Sequence, residues 1–290
     1  MKKIMRNLLI AGFTLFLIGG VFYGIGRISG GQEYVENEGI KQVRAAAKRE
    51  RVIVEKENLG EIQKIEADIE DMDIIVKESE DTSCYLSYNV DKRRGKNPLS
   101  YEVDDGTLKL VEKEGYDTFY YVHVDFSFLN RAIGKNKVEN YGNTIILYIP
   151  QKQLEECELS LDDGDVTMEG LKSEILNVSL KSGDLVIENT DIGIGSVQTD
   201  DGDIELSKLS CKELDLQSES GDVNVRLNGK DRKEIEIEAY TESGDVEAAR
   251  SLKGIKKSDD DDDFCKYQRT VKNAIGTLNI QCEDGDIVIR

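Results

Sequence analysis

The residues most able to do chemistry in this chain are aspartates that return in one short phrase. It occurs as Asp163-Gly164-Asp165, Ser182-Gly183-Asp184, Asp201-Gly202-Asp203, Ser220-Gly221-Asp222, Ser243-Gly244-Asp245 and Asp284-Gly285-Asp286. The residue after the glycine is aspartate in all six copies. Two before the glycine, Asp162, Lys181, Asp200, Glu219, Glu242 and Glu283 supply five acids in six. Stacked carboxylates suit a hard cation such as Ca²⁺, which takes about six to eight oxygens, so Asp165, Asp184, Asp203 and Asp222 are cation candidates. The nonapeptide calcium-roll spacing Gly-Gly-x-Gly-x-Asp is not present, and solvated turn aspartates are the reading carried forward. Paired acids also cleave polysaccharides, but an acid at every turn marks a structural rule and singles out no pair. No enzyme activity and no cofactor are expected.

Other chemistries are excluded more simply. With 58 acids against 38 bases the net charge is −20, which leaves no basic domain for nucleic acid. His123 is the one histidine, so Ser-His-Asp catalysis and His-rich metal sites have no material. Gly134-Lys135 lacks the context of a phosphate loop. The five cysteines (Cys84, Cys157, Cys211, Cys265, Cys282) are odd in number and have no CxxC spacing, which favours core thiols. A Cys265–Cys282 bridge is the one pairing left open.

The elements that must carry the aspartates follow from the spacing. Successive glycines of the phrase lie 19, 19, 19, 23 and 41 residues apart. Val166, Leu185, Ile204, Val223, Val246 and Ile287 stand two residues past each glycine, and Met168, Ile187, Leu206, Val225, Ala248 and Ile289 two further on. Five before each glycine stand Leu159, Val178, Val197, Leu216, Ala239 and Ile280. Apolar residues at period two read as half-buried strands, so each unit is strand, Gly-Asp turn, strand. A helix is excluded, because its apolar period would be three or four and glycine would interrupt it. The predicted fold is all-β, a single-domain β-solenoid of about 19-residue two-strand rungs whose stacked apolar positions form one core. Gly164, Gly183, Gly202, Gly221, Gly244 and Gly285 are assigned to turns that need φ > 0.

The organisation predicted along the chain has five parts. Residues 1–7 are a cytoplasmic tail and 8–26 a transmembrane helix, because Leu8–Ile25 is an 18-residue run without charge behind Lys2, Lys3 and Arg6. An uncleaved anchor is favoured over a signal peptide, whose apolar core would be shorter. Residues 27–60 read as a stalk containing Lys41, Arg44, Lys48, Arg49 and Arg51. Residues 61–150 read as degenerate rungs, with eroded copies at Asp68–Val76 and Val103–Leu110. An aromatic insertion (Tyr116, Phe119, Tyr120, Tyr121, Phe126, Phe128, Tyr141, Tyr148) breaks their period. Residues 151–290 are the regular repeats; they hold 34 acids and 17 bases, so −17 of the net −20 belongs to them.

The tandem Ser/Asp-Gly-Asp-Ile/Val units, opened by Ile149-Pro150, resemble a bacterial adhesin-like β-strand-repeat family of unknown function. The last module resembles it too, where Gly276-Thr277-Leu278-Asn279-Ile280 leads into Asp284-Gly285-Asp286-Ile287. The resemblance covers residues 61–290 and implies an extracytoplasmic, often membrane-anchored β-solenoid with no assigned site residues. Asp259–Asp263 departs from it, since a glycine-rich turn is usual there. The expected function is a non-catalytic extracytoplasmic binding or scaffold protein anchored in the cell membrane, with an envelope protein or glycan as partner. The competing expectation is an accessory sensor in envelope-stress signalling.

Overall fold

The computed structural model describes residues 50–112, 143–151, 154–229, 231–258 and 264–290. The predicted tail and membrane span, the basic stretch 41–49, His123, most of the aromatic insertion and Asp259–Asp263 lie outside the described residues. Among the described residues no helix is long and apolar enough to cross a membrane. Seven strands come first: β1 (Arg51–Gly60), β2 (Lys64–Asp71), β3 (Asp73–Glu78), β4 (Cys84–Asp91), β5 (Leu99–Asp104), β6 (Thr107–Glu112) and β7 (Thr144–Ile149). The regular repeats give β8 (Leu154–Asp163), β9 (Val166–Glu169), β10 (Lys172–Ser182), β11 (Leu185–Glu188), β12 (Asp191–Asp201), β13 (Ile204–Ser220) and β14 (Val223–Leu227). The chain ends in β15 (Ile235–Ser243), β16 (Val246–Ala248), β17 (Ile255–Ser258), β18 (Cys265–Arg269), β19 (Gly276–Asp284) and β20 (Ile287–Ile289).

The apolar period of two becomes two walls of parallel strands. In the long-strand wall Leu159 pairs with Val178, Val178 with Val197 and Val197 with Leu216, each 19 residues on. In the short-strand wall Val166, Leu185, Ile204 and Val223 align at the same offset. β13 runs through the corner and serves both walls. Inward columns from the two walls meet in one continuous apolar core. The result is all-β and solenoid-like, with the Gly-Asp turns stacked along one corner.

Spatial order departs from chain order at both ends. At the C-terminal end β19 lies between β13 and β15, and β20 between β14 and β16. The last unit in sequence is thus the second to last in space. The 41 residues from Gly244 to Gly285 house β17 and β18, and β18 closes antiparallel on β15. At the N-terminal end β2 and β3 stack on β8 and β9, while the later β6 and β7 sit outside them. Antiparallel β5, β4 and β1 finish that end.

Two expectations need correction, and the one pairing left open among the cysteines is decided. Residues 51–60, placed in the stalk, form β1 and pair with β4. The eroded copy at 103–110 is an antiparallel hairpin of β5 and β6; its Gly106 has φ +75°, against +129° to +153° at the six repeat glycines. All five cysteines are buried and unbridged. Thr241 pairs with Cys282 on one side and Cys265 on the other, so the two thiols stand two strand spacings, about 9–10 Å, apart. A disulfide needs Cα atoms within about 7 Å, which excludes that bridge.

The turn glycines are held by two constraints. Their φ lies in a region that side chains avoid. A Cβ on Gly202 would also stand 2.1 Å from the Gly183 carbonyl oxygen, a backbone atom that cannot swing away. By contrast, a Cβ on Gly60, at φ +75°, would meet nothing within 4 Å. Urea denaturation should therefore show Gly202→Ala losing about 3 kcal/mol or more, while Gly60→Ala loses about 1 kcal/mol. Equal losses at the two sites would mean that turn stacking does not limit stability.

Candidate functional site

The aspartate ladder has a backbone cause. Five of the six turn glycines donate their N–H to a carbonyl of the next rung (Gly183 to Asp201 at 2.9 Å, Gly202 to Ser220 at 3.0 Å), and in those turns the residue after the aspartate does the same (Leu185 to Asp203 at 2.9 Å). The aspartate N–H between them donates instead to the side chain of the neighbouring aspartate. Asp184 donates to Asp165 Oδ1 and Asp203 to Asp184 Oδ1, both at 2.9 Å, and Asp222 to Asp203 Oδ1 at 2.8 Å. Asp286 then donates to Asp222 at 2.9 Å, and Asp245 to Asp286 at 2.8 Å. At the other end Asp165 donates to Asp73 Oδ1 at 3.1 Å, so the ladder starts one rung earlier than the sequence motif. The four cation candidates are thus brought together in one row, and each gives an oxygen to a backbone N–H. Among the described residues no three His, Cys, Asp or Glu side chains form a group able to hold a metal.

A base meets the last aspartate of the ladder, and another stands among the acids beside its first rung. Among the described residues no further rung follows Asp245, and its Oδ1 accepts from the Val246 N–H at 2.9 Å and from Lys256 Nζ of β17. The Lys256 ammonium holds the Asp245 carboxyl below the ordinary carboxylate range, and Asp245 holds Lys256 above the ordinary amine value. At the N-terminal end Glu112 replaces an apolar residue beneath the turn. Its Oε2 accepts from the Glu70 and Asp71 N–H groups at 2.9 and 2.8 Å. Its side chain is fully buried and its Oε1 meets Arg93 Nη2. Arg93 also lies 3.7 Å from Glu70 and 3.5 Å from Asp71. Burial raises the Glu112 carboxyl, against the lowering effect of the two N–H donors and Arg93.

The long-strand wall turns columns of side chains outward: a charged one next to the turns (Asp162, Lys181, Asp200, Glu219) and three further from them. The column Asp68, Ser160, Ser179, Gln198, Gln217, Gln281, Tyr240 runs in register across seven strands. Beside it runs the column through Glu158, Asn177, Ser196 and Asp215, and then the column through Glu156, Ile175, Ile194 and Glu213. On β10 and β12 these three columns carry no charge: Ile175, Asn177 and Ser179 face out beside Ile194, Ser196 and Gln198. Ile175 is 37% exposed and Ile194 54% exposed, so two neighbouring isoleucines open to water along one edge of that window. Acids bound it on either side, at Glu156 and Glu158 and at Glu213 and Asp215.

Sequence reasoning found the six repeat aspartates. It missed Asp73 and Lys256 at the ends of the ladder, Arg93 and Glu112 beside Glu70 and Asp71, and the Ile175–Ile194 pair. Asp73 carried a signal, since Met72-Asp73-Ile74 has the repeat pattern with methionine in place of glycine. Nothing in the spacing pointed to the other four.

A solenoid-like all-β domain with a stacked Gly-Asp corner defines the class of the protein. The chain belongs to the Toastrack DUF4097 family, whose model matches residues 62–289. Among solved structures it is similar to a "putative cell adhesion protein" from Clostridium sporogenes, with 19% identity over 83% of this chain and 98% of that one, at a TM-score of 0.38. It is also similar to a "putative adhesin" from Bacteroides fragilis, with 13% identity over 83% of this chain and 97% of that one, at a TM-score of 0.38. No curated relative matches it.

Two outcomes test the corner. Asparagine offers the same acceptor oxygen as aspartate, so Asp203→Asn should leave urea stability within about 0.5 kcal/mol, whereas Asp203→Ala strands the Asp222 N–H and should lose about 1–2 kcal/mol. Equal losses would show that charge and not the acceptor matters. Arg93→Ala leaves Glu112 buried beside its N–H donors without its base, and should lose about 2–3 kcal/mol at pH 7. Burial already sets the folded Glu112 pKa above its unfolded value near 4.5, and losing Arg93 raises it further. The variant's deficit should therefore grow as pH rises through the raised folded-state range of Glu112, above its unfolded value, and shrink as pH falls below that range and Glu112 takes up its proton.

Proposed function

We propose that this is a non-catalytic, adhesin-like binding or scaffold protein of the cell envelope, held in the membrane by residues 8–26 with the solenoid-like domain outside the cytoplasm. The observation that carries the binding role is the uncharged window on β10 and β12. It sits in a domain whose repeats carry most of a net charge of −20, and it exposes two isoleucines beside polar amides and hydroxyls. Nothing in the packing of this wall requires isoleucine there, because the inward columns fill the core from the alternate positions. A flat, wet, weakly apolar surface bordered by acids suits an envelope protein or a glycan, with the border discouraging anionic partners. The apolar run Leu8–Ile25 behind Lys2, Lys3 and Arg6 supports the anchor and its orientation.

Crosslinked pull-down from whole cells with the full chain tests the window. Ile194→Asp should abolish capture of whatever the wild type retains, with Tm within about 2 °C of wild type, since surface changes usually move stability by about 0.5 kcal/mol or less. A Glu205→Lys control on the other wall should capture normally. Capture unaffected by Ile194→Asp would remove the window from the binding role, and a domain shielded from protease on intact cells would overturn the placement.

A further inference from the structure

We propose that the Lys92–Lys96 turn is a membrane-facing foot that seats the domain on anionic lipid headgroups. The inference rests on the membrane-anchored reading above. The turn joins β4 to β5 and reads Lys92-Arg93-Arg94-Gly95-Lys96, four bases in five residues of a chain with net charge −20. Its position gives the charge a meaning. Arg51, the first residue of β1, pairs with Asp91, the last residue of β4, so the turn begins one residue from the point where the N-terminal chain joins the domain. The Arg51 Nε lies 3.4 Å from the Asp91 carboxylate, and its Nη2 donates to the Asn89 carbonyl at 3.0 Å. A tether from an anchor at 8–26 therefore attaches beside these bases.

The turn is rigid. Arg93 and Lys96 exchange backbone hydrogen bonds of 3.0 and 2.9 Å across it. Arg94 at φ +51° and Gly95 at φ +76° complete the two-residue hairpin form that needs positive φ at both centres. Asn97 braces the base by donating to the Tyr88 hydroxyl at 2.9 Å and accepting from the Leu99 N–H at 3.2 Å. Arg93 turns inward to Glu112, while Arg94 and Lys96 are exposed. Asparagine or glycine is the unstrained choice at the position of Arg94, yet a guanidinium stands there. A guanidinium binds phosphate oxygens through two parallel N–H groups, and a neighbouring ammonium adds attraction to an anionic surface. The acidic corner is repelled by the same surface, so the two charge patterns together fix which end of the domain faces the bilayer.

Hydrogen exchange on the full chain reconstituted in vesicles tests this. The segment 91–99 should exchange about tenfold more slowly in vesicles containing phosphatidylglycerol than in phosphatidylcholine alone, and the difference should vanish in about 1 M salt. In K92Q/R94N/K96Q the Asn-Gly pair keeps the turn, so Tm should hold or rise while the lipid-dependent protection is lost. Equal exchange of the wild type in the two vesicles, or full protection in the triple variant, overturns the proposal. Protection by a soluble phosphodiester polymer added to phosphatidylcholine vesicles, without any by phosphatidylglycerol, overturns the choice of lipid as the partner. An alkaline wash reports separately on the anchor: release of the chain sinks the anchored reading, whatever the turn does.

Discussion

The approach of one turn glycine to the next is the contact on which the rest of the domain depends. A virtual Cβ at any of the six repeat glycines would lie 2.1–2.5 Å from a carbonyl oxygen of the neighbouring rung. Only a residue without a side chain lets the corner close to the spacing at which strands on both sides pair. Once the corner is that tight, the register of the walls is set, because a slip of one residue would turn every apolar side chain to solvent. The same tightness leaves the next residue's N–H without a backbone acceptor, and an aspartate carboxylate from the adjacent rung supplies one. Glycine and aspartate thus answer two sides of one steric problem, which is why they recur together.

A stack of parallel rungs must end somewhere, and an open end offers unpaired backbone to any passing strand. This domain closes its ends by changing direction. At the C-terminal end β18 runs antiparallel to β15 and sends Cys265, Tyr267 and Arg269 inward. Tyr267 donates to the Leu252 carbonyl at 2.8 Å, and Arg269 to the carbonyls of Arg232, Lys233 and Ile235 at 2.8, 3.0 and 3.2 Å. β17 then presents Ile255, Lys256, Lys257 and Ser258, whose two lysines oppose further strand addition. At the N-terminal end the edge strand β1 carries positive φ at Lys56 and Gly60, and its register to β4 shifts beside both. Irregular edges of this kind resist edge-to-edge pairing.

The regular rungs were legible in the sequence because both of their signals are local. Period-two apolar residues identify a strand without reference to its partner, and Gly-Asp marks the corner. Rung order was not legible, and the reason is the repeat itself. Leu216, Ile280 and Ala239 occupy the same column, and any of them packs acceptably on Val197, so the pattern fits several stacking orders equally well. What selects the observed order is the intervening chain, where β17 and β18 need an outer edge to fold against. The capping pairs were hidden for a related cause. Arg93 and Glu112 are 19 residues apart in irregular sequence, and no periodicity connects Lys256 to Asp245.

The charge takes on a different meaning once it is placed. Neighbouring aspartates along the corner stand about 5 Å apart, where unit charges in water repel by under about 1 kcal/mol, and each gains a hydrogen bond to a backbone N–H of comparable worth. The ladder is therefore sustainable as a solvated feature, and its repulsion is relieved where it ends on Lys256. With the acids explained by backbone need, their positions say little about a ligand. The informative positions are those where an acidic repeat declines to place an acid, in the window on the outer faces of β10 and β12, and where it places bases, on the turn after β4. Neither departure improves packing: Ile194 is more than half exposed, and Arg94 occupies a backbone conformation better suited to asparagine. Residues that work against local preference without helping the core are the ones whose cost must be justified outside the fold.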